Sequence, residues 1–85
     1  MARVLNIIRR RDDEEAVKMA KEQSARGEVS LLYLHDAVYR LPEPELPTYA
    51  SLLDTEARGV ESPCRLVSDE EIVRLMFEHE RVICW

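Results

Sequence analysis

Glycine is almost missing from this chain: there are two in 85 residues, Gly27 and Gly59. Two isolated glycines cannot build a GxGxxG turn or a Walker loop, which argues against a phosphate cradle of that kind. Cysteine is equally scarce. Cys64 and Cys84 are too few for a disulfide framework, and no CxxC is present. The two histidines, His35 and His79, are far apart and make no HxxxH pair, so the spacing of a zinc site is missing too. Basic residues are outnumbered. Twelve Lys and Arg face seventeen Asp and Glu, a net charge of −5, which argues against a general nucleic-acid binder. No apolar run approaches membrane-spanning length. At the start, MARVLNIIRRR puts its charges after the apolar stretch, the reverse of a secretory signal. The expectation is therefore a cytoplasmic protein with reduced thiols, no membrane contact and no cofactor.

What is present is a 46% hydrophobic composition, normal for a folded protein. The length suits one domain over residues 1–85. A domain this small buries only roughly 60–65% of the surface its unfolded chain exposes, so association with other chains would help it. Residues 4–8 read as a strand buried on both faces. Asp12 or Asp13 is a suitable N-cap for a helix whose first turn is acidic. Ala16, Val17 and Ala20 lie on its inner stripe, and Gly27 is expected to end it in the left-handed conformation. Residues 29–34 form a second strand, and residues 35–40 a short helix capped by Asp36. Pro42, Pro44 and Pro47 make residues 41–47 an extended connection. A third strand at residues 48–51 runs into a helix stopped at Gly59. Residues 65–67 make a fourth strand. Ser68 and Glu71 form a capping box ahead of a helix with Ile72, Leu75 and Met76 inside. Residues 82–84 make the last strand. Strands alternating with helices select an α/β class: a three-layer α/β/α domain with a mainly parallel five-stranded sheet.

In such sheets ligands bind beyond the carboxyl ends of the strands. The polar residues expected there are Arg9 and Arg10, His35 and Asp36, and Ser51. Four acids follow the arginine run Arg9–Arg11 at once, which favours a solvated, balanced segment over an anion site. His35 and Asp36 are sequence neighbours, poorly placed to stack behind Ser51 as a triad. Cys64, after Pro63, reads as an exposed loop thiol, and Cys84 as a small hydrophobe in a strand. Either would need a nearby cation to become a reactive thiolate. Tyr39, Leu46, Phe77 and Trp85 read as candidate interface residues, since aromatic side chains are enriched in interface cores. Tyr33 reads as half buried in the second strand.

Four segments together, LLYLHDAV, YASLLDTEARGV, RLVSDEEIVRL and the closing ICW, resemble the DsrH/TusB branch of the DsrE/DsrF/DsrH sulfur-relay proteins. The resemblance covers most of the chain and implies the same α/β/α fold. It also implies assembly with DsrE/TusD-like and DsrF/TusC-like subunits, or a homo-oligomer without them. Such complexes pass persulfide sulfur toward 2-thiouridine in tRNA or within sulfur oxidation. Sulfur-carrying members place a cysteine where the third strand meets its helix, and some DsrH proteins place one in the first helix. Here those positions hold Ser51 and the Met19–Ala20 region, so the carrier residue does not transfer. Asp36, Arg58 and Gly59 match family positions and read as a cap, a surface arginine and a helix stop. The implied role is a non-catalytic interaction subunit. The alternative is a sulfurtransferase carrying persulfide on Cys64 or Cys84. An RNA-associated adaptor using Arg9–Arg11 is disfavoured by the acidic net charge, and no direct nucleic-acid contact is expected.

Overall fold

The computed structural model describes residues 2–85. Five strands, β1 (Arg3–Ile8), β2 (Glu28–Tyr33), β3 (Thr48–Ser51), β4 (Arg65–Val67) and β5 (Arg81–Cys84), form one sheet in the order β4-β3-β2-β1-β5. Every neighbouring pair is parallel, with Ile7 level with Leu32 on one side and Cys84 on the other. The helices are α1 (Glu14–Ser24), α2 (Leu52–Ala57) and α3 (Asp69–Glu78), and a 3-10 turn covers His35–Tyr39. No helix of the described residues is long and apolar enough to cross a membrane.

Side chains alternate across the sheet, as the two-residue strand period requires. Val4 and Ile8 of β1 join Val29, Leu31 and Tyr33 of β2 in a core with Ala16, Val17 and Ala20 of α1 and with Ala37 and Val38 of the 3-10 turn. Leu5 and Ile7 point the other way, into a smaller core with Leu32, Val67 and Leu75 of α3. The chain steps in one direction from β1 to β4, then crosses back under α3 to place β5 beside β1. Right-handed crossovers in opposite directions put their helices on opposite faces. The reversal of strand order therefore lies between β1 and β5.

The caps follow the local sequence. The Asp13 carboxylate accepts from Ala16 N–H at 3.1 Å and starts α1. Ser68 and Glu71 form the reciprocal capping box of α3. Gly59, at φ 63°, ends α2 in the left-handed region, as expected.

Several sequence expectations are corrected. Gly27 does not cap α1, which ends at Ser24 with Ala25 as its C-cap. Its smallness serves a close approach instead: a Cβ there would lie 2.6 Å from the carbonyl oxygen of Ala2, which already accepts from Glu28 N–H. Asp36 does not cap the 3-10 turn. Its N-cap is Leu34, and no side-chain bond is made there. Tyr33 is fully buried, its hydroxyl donating to the Leu41 carbonyl. Leu46 is 7% exposed and belongs to the core, not to an interface, because the proline segment folds it back onto the sheet. Met76 lies outside the inner stripe, at 40% exposure, and Ile72 and Leu75 alone pack from α3 onto the sheet.

Replacing Gly27 by Ala should lower the urea midpoint, with a loss of about 1–3 kcal/mol from overpacking against backbone. An unchanged or raised midpoint, the usual result of reducing unfolded-state freedom, would show that the Ala2 segment yields.

Candidate functional site

Because the sheet is wholly parallel, the residues after β1, β2, β3 and β5 share its carboxyl edge. A cavity of about 500 Å³ opens there, lined by Arg9, Arg10, His35 and Trp85. It sits beside the β1–β5 reversal, where open α/β sheets leave a crevice. Three of the five residues expected at this edge thus converge, and Trp85 joins them.

Trp85 is held from two sides. Its indole Nε1–H donates to the Asn6 side-chain oxygen at 2.9 Å, and its backbone carbonyl accepts from Arg9 Nε at 2.9 Å. Its backbone N–H continues the sheet by donating to the Ile7 carbonyl. The half-buried ring packs on the α1-side core. Part of the ring is thus docked on its own chain, and the rest stays exposed.

Asn6 is the residue that sequence reasoning passed over. It is fully buried in β1. Its amide nitrogen donates to Gln23 Oε1 of α1 at 2.9 Å while its oxygen serves Trp85. An indole N–H can only donate, so this pairing fixes which way the amide points. The signal was available: a lone polar residue inside an otherwise apolar strand must find partners.

His35 has φ 52°, the one non-glycine residue with positive φ among those described. Asp54 holds it there, its carboxylate accepting from His35 N–H at 2.8 Å. Asp36 turns away from the cavity to Arg58, Nε to Oδ1 at 3.0 Å, and Arg58 also approaches Asp54 at 3.6 Å. Arg58 is thus a clamp between the 3-10 turn and α2, not a free surface arginine. Ser51 is buried and spent as the N-cap of α2, accepting from Asp54 N–H at 3.2 Å. Neither Asp36 nor Ser51 reaches the cavity, and no triad forms.

The arginine run divides. Arg10 approaches Asp13 only at 3.6 Å, Arg11 lies 4.8 Å from the Tyr39 ring centroid, and Arg9 makes no ion pair among the described residues. All three arginines are exposed, as a solvated run requires, and among the described residues only Arg10 pairs with one of the four acids that follow. One reason is that Glu14 is taken by Arg40 at 2.8 Å, a hydrogen bond that holds its carboxyl below the usual range. Arg40 also approaches Glu43 and donates to the Arg11 carbonyl, and its Nε is the one buried side-chain nitrogen or oxygen without a partner among the described residues.

The two thiols exchange their expected settings. Cys64 is buried at 6% exposure in the α1-side core, and burial pushes its thiol up from the ordinary value. Cys84 is exposed near the end of edge strand β5. The burial of Cys64 follows from its chain position just ahead of β4, where the loop folds inward. Among the described residues no group of three or more His, Cys, Asp or Glu is arranged to hold a metal ion. No known family model matches this chain, and no curated protein matches it.

Asn6→Ala would strip Trp85 and Gln23 of their partners. Leaving a buried polar group unpaired costs about 1–3 kcal/mol. The chain has a single tryptophan, so its fluorescence reports the same event. The expected result is a lower urea midpoint with a shifted emission maximum. Both unchanged would contradict the role given to this amide.

Proposed function

We propose that this chain is a non-catalytic interaction subunit of a sulfur-relay assembly of the DsrH/TusB type. The observation that carries the interaction role is a second apolar stripe on α3. Val73, Met76 and Phe77 lie three and four residues apart on its outer side, and Phe77 is 86% exposed. A contiguous exposed apolar stripe of this kind marks a contact surface. Leu66 of β4 and Leu53 of α2 are exposed as well. The two sheet faces are also unequally covered. One carries α1, the 3-10 turn and the proline segment, while the other packs on α3 with Leu34, Tyr49, Ile72 and Val82 only partly buried.

The chemistry supports the non-catalytic half of the reading. The strand–helix junction holds a serine already used as a cap, the first helix has no cysteine, and Cys64 is enclosed and shifted away from its thiolate. The sulfur-relay part rests on the resemblance of the four segments, with tRNA thiolation or sulfur oxidation as its setting. One observation favours a second reading, persulfide transfer on this chain itself: Cys84 is exposed.

The test is co-purification with the DsrE-like and DsrF-like subunits of the same source, followed by size-exclusion chromatography. The expected outcome is one co-eluting complex, weakened at least tenfold by Phe77→Glu while the isolated variant keeps its helical circular dichroism. A chain that elutes alone, or a complex indifferent to Phe77, would overturn the assignment.

A further inference from the structure

We infer that the cavity at the β1–β5 reversal binds a small phosphate-bearing molecule with a flat ring, of nucleotide size. This inference stands apart from the subunit role, since it concerns the opposite end of the chemistry: cations and an indole rather than the aliphatic stripe of α3. Four observations converge on it. First, the position is the crevice that the strand order itself creates at the carboxyl edge. Second, none of its lining side chains is acidic: Arg9, Arg10, His35 and Trp85 bring two guanidiniums, an imidazole and an indole, and the Trp85 main-chain oxygen at its edge is taken by Arg9.

Third, the cations are positioned but not consumed. Arg9 spends its Nε on the Trp85 carbonyl, which orients the guanidinium plane, and its two terminal nitrogens have no partner among the described residues. A guanidinium offers a planar fork matched to phosphate oxygens. Arg10 has only the 3.6 Å approach to Asp13, whose carboxylate already caps α1. The left-handed backbone of His35 is held by Asp54 through its N–H, leaving the exposed imidazole for the cavity. Strained backbone of this kind clusters at ligand sites.

Fourth, Trp85 supplies an apolar wall whose edge is pinned by Asn6, so a ring placed against it loses little side-chain freedom. The site is an open groove of about 500 Å³, within the size range of small-ligand clefts. The acidic net charge of −5 favours a small ligand over a polyanion, which the whole molecule repels.

The experiment titrates the isolated full chain, labelled with nitrogen-15, with AMP, adenosine and inorganic phosphate, following amide signals and the single indole N–H by NMR. AMP is expected to saturate, moving the indole signal and the amides of Arg9, Arg10 and His35. Adenosine and phosphate should each bind at least tenfold more weakly. Arg10→Gln should weaken AMP at least tenfold with the remaining spectrum in place, which separates lost binding from lost folding. No saturable response to AMP, or equal binding by the variant, would overturn the site. Phosphate binding as tightly as AMP would overturn the ring-bearing ligand.

Discussion

One buried amide ties the architecture together. Asn6 sits in the central part of β1, with β2 on one side and β5 on the other, and its side chain bridges α1 through Gln23 and the end of β5 through Trp85. β5 is short and lies at an edge, reached only after the chain has crossed the whole sheet. It pairs along its four residues with β1 alone. The indole–amide bond and the Arg9–carbonyl bond fasten its end, and in doing so they shape the wall of the cavity. A fold of 85 residues has little surplus stability, so a satisfied polar bridge in its core does more than add a bond. It specifies one register for the final strand.

The second organising feature is polar. At the carboxyl edge, Arg58 joins Asp36 to Asp54, and Asp54 in turn holds His35 and the start of α2. The residues of the LHDAV and SLLDTEARG segments that look chemically active are thereby committed to one another. A parallel arrangement surrounds Arg40, where Glu14 and Glu43 tie α1 to the proline segment. What remains open among the described residues is the terminal nitrogens of Arg9, the His35 imidazole and part of the Trp85 ring on the edge, with Arg10 held only by its 3.6 Å approach to Asp13, and the apolar stripe of α3 on the outside. Its candidate nucleophile Ser51 is occupied as a cap, and Cys64 is enclosed.

Much of the fold was legible in the residues. Strand runs bounded by charge, the Ser68–Glu71 box and the Gly59 stop each act through neighbours a few residues away, and each was found where the sequence put it. The errors share a cause, because they concern partners distant in the chain. Gly27 looked like a helix stop, but its constraint comes from Ala2. Leu46 looked exposed among prolines, but the segment folds onto β2, where the Pro47 carbonyl accepts from Leu31 N–H. Cys64 followed a proline in a loop and still entered the core. For the site, the edge was foreseeable and its occupants were not. Whether Asp36 faces the cavity or Arg58 depends on a contact across 22 residues, which no local pattern encodes.

The role proposed for this chain is to contribute contacts rather than sulfur chemistry. The direct measurement is intact mass of the reduced protein after incubation with a cysteine desulfurase and cysteine, with Cys64→Ser and Cys84→Ser alongside. A contact-making subunit should show no stable added sulfur and both thiols unmodified. An added sulfur that disappears in Cys84→Ser would contradict it, making the exposed thiol of β5 a carrier.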